Sequence, residues 1–238
     1  EASLIARGRG LSNVLNLSNE ETVKAHVSLR DFSQDQFLIM TTKDGIIKKS
    51  KLEDYSRPRT NGIIAINLKG KDELISVHTS SGKDEILIST RMGQAVRFKE
   101  QKVRSVGRNS MGVKGITLKD KDFVVSSEVI KEEGVKILTV TENGFGKRTE
   151  VSKYRLTSRG GKGVTTLKIT DKTGLIVNAF QTENEDDIVL LSSAGKATRL
   201  RTSDISIIGR ATQGVRLMKI EEDIKVVAVA KITEKENE

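Results

Sequence analysis

Several residue types that mark common protein classes are absent from this sequence. It has no cysteine among 238 residues, which excludes a disulfide framework and any metal site built on thiolates. No run of about eighteen apolar residues occurs, so no segment could cross a bilayer as a helix, and the N terminus does not have the pattern of a signal peptide. We therefore expect a cytoplasmic protein with no membrane partner. Because the chain begins at Glu1 rather than Met, we also expect a fragment of a longer protein.

Aromatic residues are scarce, at 3% of the chain, and tryptophan is absent. Proteins that bind single-stranded nucleic acid need exposed aromatic rings on which bases stack. The six phenylalanines lie mostly in or beside apolar runs, where we expect them to be core residues. The composition therefore disfavours a single-strand binding protein.

Positive charge is in excess, with 41 Lys and Arg against 32 Asp and Glu, a net charge of +9 and a pI near 9.6. This balance makes a polyanionic partner a serious hypothesis. The alternative from net charge alone is a basic protein whose charge serves only solubility.

The chain consists of repeated units. Glycines recur at intervals of 48 to 52 residues in two series: Gly45, Gly93, Gly144 and Gly195, and Gly10, Gly62, Gly112, Gly163 and Gly214. A fixed period of this length indicates a solenoid or a propeller. We assign one domain over 1–238, with a partial blade at 1–36, full blades at 37–84, 85–135, 136–186 and 187–232, and a frayed acidic tail at 233–238.

Each unit contains short apolar runs rich in Ile, Val and Leu, separated by turn signals such as Asp44-Gly45 and Asn143-Gly144. This pattern is typical of antiparallel strands joined by hairpins. In the second unit it predicts strands near 85–90, 95–98, 113–118 and 123–129. No stretch shows a sustained period of 3.6, so helix should be scarce. Four strands recurring every fifty or so residues predict an all-β, propeller-like fold of four-stranded antiparallel blades.

Charge alternates in phase with the repeat. The first part of each unit is basic, with net charges of +4, +7, +5 and +5, and the second part is acidic, with −2, −2, −4 and −3. If the charge served only solubility, the two signs would be interspersed. Stacking the units radially should therefore gather the basic parts into a continuous stripe that can bind a polyanion.

The candidate contact residues are the cations of the second strand and the long loop in each unit, with the loop glycines. Arginine can grip two phosphate oxygens, and glycine lets backbone N–H groups approach phosphate closely. The candidates are Arg7 and Arg9 in the partial copy; Lys48, Lys49, Arg57 and Arg59; Arg97, Arg104, Arg108 and Lys114; Lys147, Arg148, Arg159 and Lys162; Arg199, Arg201, Arg210 and Arg216; and Gly160, Gly161 and Gly163.

A polyanion track with few aromatic residues favours a duplex held through its phosphate backbone, with little reading of the bases. A curved track would also bend the duplex, and bending by 40–90° costs about 1–6 kcal/mol by elastic estimates. Several charge-assisted contacts can offset that cost.

At the level of long motifs the chain resembles the C-terminal domain of the A subunit of bacterial DNA gyrase, and less closely that of the A subunit of topoisomerase IV. The motifs are RGRGLSNVLNL, DYSRPRTNGIIAINL, GQAVRFKEQKVRSVGRNSMGVKGI, NGFGKRTEVSKY and IGRATQGVRL, in that order across nearly the whole chain. The resemblance implies a β-pinwheel, whose blades exchange a strand with their neighbours and whose outer rim wraps DNA. It also implies, as partners, the rest of the gyrase A subunit together with the B subunit, in an ATP-dependent type IIA topoisomerase of the isomerase class, associated with the nucleoid.

That family has a defining box, Gln-Arg-Arg-Gly-Gly-Lys-Gly, in its first blade. The segment 157–163, Thr-Ser-Arg-Gly-Gly-Lys-Gly, matches its last five positions and departs at the first two. The resemblance therefore implies a degenerate copy here, with the principal box upstream of Glu1. Such a chain would bind and bend DNA without supporting full wrapping.

No set of residues in the sequence predicts catalysis, a metal site or a cofactor. Gly160–Gly163 lacks the spacing and the strand-to-helix setting of a nucleotide-binding loop. Tyr55 and Tyr154 each lie ten residues after a turn glycine, which indicates a structural role, and His26 and His78 are also repeat-equivalent. The acidic pairs Asp186-Asp187 and Glu132-Glu133 are expected to be solvated connectors. The remaining alternatives are a protein-interaction propeller, which would need an exposed apolar patch, and an enzyme.

Overall fold

The computed structural model describes residues 17, 21–29, 31–32, 35–59 and 62–232. Within these ranges the secondary structure consists of sixteen β-strands and four 3-10 turns, with no α-helix. The strands are β1 Phe37–Thr42, β2 Ile46–Lys51, β3 Leu74–Ser80, β4 Glu85–Thr90, β5 Gln94–Lys99, β6 Val113–Lys114, β7 Val124–Ile130, β8 Lys136–Thr141, β9 Phe145–Glu150, β10 Leu156–Thr157, β11 Val164–Thr165, β12 Ile176–Thr182, β13 Asp187–Ser192, β14 Ala197–Arg201, β15 Val215–Arg216 and β16 Val226–Ile232. The 3-10 turns are Leu52–Tyr55, Glu100–Lys102, Val151–Lys153 and Thr202–Asp204.

Three long antiparallel strands from each unit form one blade, with the first strand in the centre. The blades are β3-β1-β2, β7-β4-β5, β12-β8-β9 and β16-β13-β14. Their first strands begin at Phe37, Glu85, Lys136 and Asp187, where the four units begin. The predicted all-β, propeller-like fold is therefore confirmed. The predicted partial blade at 1–36 lies largely outside the described residues, although Val27 and Leu29 pack against the core of the first blade.

In the first three blades the outermost strand comes from the following unit, whereas the fourth blade has only three strands within the described residues rather than the predicted four. β6, from the second unit, pairs with β2 of the first blade, and β15, from the fourth unit, pairs with β9 of the third. β10 and β11, from the third unit, both pair with β5 of the second blade. The predicted strand at 113–118 therefore exists only as Val113–Lys114, and it belongs to the neighbouring blade. This exchange is the arrangement of a β-pinwheel.

A hydroxyl side chain shapes each hairpin between the first two strands of a blade. Thr42, Thr90, Thr141 and Ser192 lie three residues before the turn glycine, and each hydroxyl accepts a hydrogen bond from the backbone N–H four residues later. Short polar side chains favour such turns because they bond locally to the backbone. The four hairpins are therefore the same structure repeated.

The third long strands lie at the inside of the pinwheel. β3, β7, β12 and β16 contact one another from blade to blade, which requires them to lie where the blades converge. Since the second strand lies at the opposite edge of each blade, β2, β5 and β9, with their exchanged partners, lie at the outer rim. The long loops that supply these partners lie there too.

The hydrophobic core lies mainly between successive blades. Ile47 and Ile86 belong to one cluster that joins the first and second blades. Leu87 and Ile137 join the second and third blades, and Leu138 and Ile188 join the third and fourth. The central strands β1, β4 and β8 are therefore buried along nearly their whole length, whereas every strand of the fourth blade includes exposed residues.

Candidate nucleic-acid interface

The long loops form one hydrogen-bonded series around the rim. We call them the rim loops: 56–69 (of which 60 and 61 lie outside the described residues), 103–119, 154–168 and 205–219. The Asn67 side chain donates to the carbonyl of Asn109 at 2.6 Å, and the Gly160 N–H donates to the carbonyl of Gly115 at 2.7 Å. Arg210 donates to the carbonyl of Thr165 at 2.8 Å. Each rim loop therefore contacts the next, so that the basic segments of all four units adjoin.

A close approach of backbones holds each exchanged loop against the strand beneath it. A Cβ added at Gly163 would lie 2.4 Å from the carbonyl oxygen of Ala95, and one at Gly112 would lie 2.5 Å from that of Ile47. Both glycines also have positive φ, +77° and +94°. Only glycine satisfies both conditions at once. Within the loop series, Gly112, Gly163 and Gly214 therefore mark the points where a loop crosses a neighbouring blade.

Seven of the predicted contact residues are exposed cations whose charged groups form no hydrogen bond or ion pair with the described part of the chain. They lie on the rim loops or at the end of β14, and each can reach a phosphate without breaking a protein contact. They are Arg57, Arg59, Arg104, Lys114, Lys162, Arg201 and Arg216. Of these, Arg216 also lies 5.5 Å from the centre of the Phe145 ring. Arg108 is half-buried on the same loop as Arg104.

Three further predicted residues lie on this surface with part of their donor capacity already used. Arg159 donates to the carbonyls of Lys102 at 2.8 Å and Lys114 at 3.1 Å. Arg210 makes the loop contact given above, and Arg199 is paired with Asp187 through Nε at 2.6 Å. Gly160, Gly161 and Gly163 lie beside Arg159 in the same loop, and Gly160 has φ of +80°. These side chains position the loops while remaining partly accessible.

Three predicted contact residues do not lie on an open surface, because Lys49 and Arg148 are buried and Arg97 is partly buried. All three occupy the fourth position after the turn glycine and bind the following blade near its 3-10 turn. Lys49 forms an ion pair of 2.7 Å with buried Glu100, Arg97 pairs with Glu85 and donates to the carbonyl of Val151 at 2.9 Å, and Arg148 donates to the carbonyl of Ile205 at 2.9 Å. A helical turn leaves carbonyls without partners at its end, and the two arginines donate to carbonyls there.

Two more predicted contact residues, Lys48 and Lys147, occupy the third position after the turn glycine and do not lie on the surface either. Both are fully buried. Lys48 Nζ donates to the carbonyl of Ala65 at 2.7 Å and to that of Arg108. Lys147 Nζ donates to the carbonyl of Gly209 at 2.6 Å, to that of Arg210, and to the hydroxyl of Thr212 at 3.0 Å. Both ammonium groups therefore lie inside the protein, beneath the rim loop of the next unit.

One surface residue was missed from the sequence. Arg155 is exposed at the mouth of a cavity of about 500 Å³ between β5 and the third rim loop, together with Arg97, Arg159, Lys162 and the glycines 160–163. Its charged group has no partner within the described ranges. The basic run from Arg155 to Lys162 could have identified it. Arg7 and Arg9, which were also predicted, lie outside the described residues.

A family model described as the DNA gyrase C-terminal domain, beta-propeller, matches four segments of the chain, 36–81, 84–131, 136–183 and 186–233. Together these cover most of its length. The chain belongs to the DNA gyrase C-terminal domain family. The A subunit of DNA gyrase from Klebsiella oxytoca is 44% identical over 98% of this chain, and that from Staphylococcus epidermidis is 44% identical over all of it. The chain spans about a quarter of the length of these curated relatives, 27% in both cases.

Solved structures of this family and of a close relative share the fold. The C-terminal domain of DNA topoisomerase IV superposes with a TM-score of 0.87 at 26% identity, covering 94% of this chain and 70% of the other. The DNA gyrase A C-terminal domain superposes with a TM-score of 0.84 at 29% identity, covering 96% and 76%. This gyrase C-terminal domain therefore has the β-pinwheel expected from its motifs.

Groups considered for other chemistry have structural settings in this gyrase C-terminal domain. Tyr154 is buried, with its hydroxyl 2.6 Å from that of Thr166, and buried Tyr55 donates to the carbonyl of Ala65 at 3.2 Å. Their structural role is confirmed. Among the described residues no three His, Asp or Glu side chains gather as metal ligands, and no helix could span a membrane.

The two buried lysines should give this gyrase C-terminal domain a distinctive pH dependence. Burial lowers the pKa of both Lys48 and Lys147 from 10.5 to about 8. At Lys48 the negative charge of Asp54 opposes this shift and the positive charge of Arg108 adds to it. At Lys147 the positive charge of Arg210 adds to it. Between pH 8 and 10 the unfolded state thus holds more protons, so the free energy of unfolding should rise with pH. Urea unfolding from pH 7.5 to 10 would measure this. Above pH 10 the buried tyrosines, whose pKa burial raises, act in the opposite direction.

The matched protein for this measurement is the double variant Lys48→Met and Lys147→Met. It keeps the length of both side chains but has no group that titrates, so its free energy of unfolding should rise less between pH 8 and 10. Equal slopes in the two proteins would contradict this assignment of the titrating groups.

Proposed function

We propose that this chain is a non-catalytic module that binds, bends and wraps duplex DNA through its phosphate backbone. The observation that supports it most strongly is the continuous series of rim loops, which contact one another and present exposed, uncommitted cations from every unit. Neutralising phosphates with such cations releases counterions and supplies affinity without base reading. Because the rim is curved, phosphates can reach several loops at once only if the duplex bends.

The alternation of charge supports the same role. The acidic part of each unit includes the inner strand, whereas the basic part forms the rim loop. A duplex is therefore attracted to the rim and is not held by the inner strands. The structure lowers the number of phosphate contacts that we propose, because five of the predicted cations are buried or partly buried: Lys48, Lys49, Arg97, Lys147 and Arg148. Every rim loop still has at least one exposed cation.

In the parent protein we propose that this domain bends DNA for a type IIA topoisomerase, DNA gyrase, which introduces negative supercoils using ATP. Its partners would be the remainder of the gyrase A subunit, together with the B subunit, in the cytoplasm at the nucleoid. The similarity to gyrase relatives over nearly the whole chain supports this assignment. Strand cleavage and ATP hydrolysis would belong to those other parts, and we propose no cofactor for this chain.

A topology assay tests the proposal directly. Nicked circular DNA is saturated with the chain and ligated, and the linking number is measured after the protein is removed. Wrapping predicts a shift of one sign that grows with the number of bound chains, because a wrapped path alters the writhe. The same assay with the variant Arg59→Gln, Arg104→Gln and Lys162→Gln should give little shift.

A second measurement separates bending from simple charge attraction. If the rim holds DNA along a bent path, it should bind a duplex of about 150 base pairs, one persistence length, more tightly per site than a duplex so short that it reaches a single rim loop. Saturated circles without any linking change, together with equal affinity for long and short duplexes, would count decisively against wrapping.

A further inference from the structure

The three joints between successive blades carry different kinds of side chain at one buried position. By joint we mean the contact between the second strand of a blade and the rim loop of the next unit. At the third position after the turn glycine, the first joint has Lys48, the second has Val96 and the third has Lys147. All three side chains are buried. Two joints therefore contain a buried ammonium group where the other contains a small apolar side chain.

The buried ammonium groups bind the backbone of the rim loops that carry Arg108 and Arg210. Lys48 reaches the carbonyl of Arg108, and Lys147 reaches the carbonyls of Gly209 and Arg210 and the hydroxyl of Thr212. An ammonium is a compact cation with three donors, so it can satisfy several carbonyls at one point. Without it these carbonyls would lie beneath the loop without their donor, which is unfavourable in a buried setting.

The joint without a lysine has a cavity against its second strand. Val96 and Ala95 line the cavity of about 500 Å³ under the loop segment 155–164. That loop is held by its neighbour instead, because Thr117 donates its N–H to the carbonyl of Gly161 at 2.9 Å and its hydroxyl to that of Gly160 at 2.6 Å. From below, this loop is held by the pairing of β10 and β11 with β5 and by Arg97, which donates to the carbonyl of Tyr154 at 3.1 Å, and it lacks the buried ammonium that the other two joints have.

We propose that Lys48 and Lys147 are positioning residues, which hold the second and fourth rim loops in the shape that presents Arg108 and Arg210 to DNA. The middle joint, which lacks this anchor, is the one that deforms when the rim adapts to a bound duplex. The part of the proposal that concerns DNA rests on the proposed function. The part that concerns loop order does not.

Hydrogen exchange of the free chain tests the loop order. In the variant Lys147→Met, amides in 206–217 should exchange about tenfold faster or more, whereas amides of β4 and β7, in the second blade, should be unchanged. In the variant Lys48→Met, the amides that exchange faster should be those in 104–113. If Lys147→Met does not fold, Lys147→Gln retains two donors and should show a smaller acceleration at the same place. Acceleration spread equally over all blades, or none in the loop, would overturn the proposal.

DNA binding separates positioning from direct contact. A positioning residue acts on DNA through another side chain, so Lys147→Met should weaken binding several-fold in the unaltered chain but hardly further in a chain that already carries Arg210→Gln. A direct phosphate contact by Lys147 would instead weaken binding and make the slope of log affinity against log salt shallower by about 0.9 in the Arg210→Gln background as well, and that result would overturn the proposal. If the unaltered chain did not bind duplex DNA at all, the proposed function would fail while the exchange experiment would still decide the loop-order claim.

The reverse substitution gives an independent test. Val96→Lys places an ammonium beneath the third rim loop, where the cavity has room for it. Exchange in 158–163 should become slower by about threefold or more, and the linking change per bound chain should fall because the deformable joint has been fixed. Unchanged or faster exchange in 158–163 would contradict the assignment of the lysine as the anchor.

Discussion

The combined substitutions Arg59→Gln, Arg104→Gln and Lys162→Gln should weaken binding of a long duplex about a hundredfold at 0.15 M salt. Each residue is an exposed cation on a different rim loop, and its charged group has no partner within the described parts of the chain. Log affinity falls with log salt by about 0.9 for each phosphate neutralised, so between 1 M and 0.15 M salt each phosphate contact contributes roughly fivefold in affinity. The salt slope itself should become shallower by about 2.7. Fluorescence anisotropy over a salt series measures both quantities.

The control is a set of three exposed lysines outside the rim loops, replaced by glutamine in the same way: Lys71, Lys83 and Lys131. This variant has the same net charge as the first, so long-range attraction falls equally in both. Its salt slope should stay within about one unit of the unaltered chain. If the two variants lose affinity and slope to the same extent, net charge rather than the rim accounts for binding.

The substitution Gly163→Ala should destabilise the fold by about 3 kcal/mol or more. Alanine at positive φ costs roughly 1–2 kcal/mol by itself. At this position its Cβ would also lie 2.4 Å from the carbonyl oxygen of Ala95, so the backbone of either the loop or β5 must move. That movement separates β11 from β5 and disturbs the joint between the second and third blades. Urea unfolding measures the change in the free energy of unfolding.

Gly62→Ala is the matched control for that substitution. Gly62 occupies the same place in the first unit and has nearly the same φ, +75° against +77°, but a Cβ there would meet nothing within 4 Å. Its cost should therefore be that of the backbone conformation alone, about 1 kcal/mol. Equal losses at the two positions would show that the close approach to β5 contributes nothing.

Much of the fold could be predicted from the sequence because its hairpins are local structures. Turn glycines and runs of β-branched residues placed the strands of the second unit, and β4 begins and ends where expected. Strand exchange was different. It depends on whether the segment after Gly112 pairs with its own blade or with the preceding one, and the residue pattern of the segment is the same in either case. Only the resemblance to a known family indicated it.

The candidate site was predicted in part, and the error has one physical origin. The phase of the charge located the basic segments, but a cation can recur with the fold either because it faces a ligand or because every blade needs the same tie to the next. Lys49, Arg97 and Arg148 are of the second kind. Alternating burial usually distinguishes the inner face of an edge strand from its outer face. It could not separate the two kinds of cation here, because β9 is buried on both faces. Arg104 and Lys162, in loops without such neighbours, were placed correctly on the surface.

Strand exchange also determines how mechanical load would pass through the domain. Under the proposed function, a bent duplex would tend to straighten and would pull outward on the loops that hold it. Since each exchanged loop is covalently part of one blade and hydrogen-bonded into the sheet of the preceding blade, a pull on it is resisted by shear along two sheets at once. Tension applied at one point of the rim is thereby shared between neighbours, and no single blade has to bear the recoil of the DNA alone.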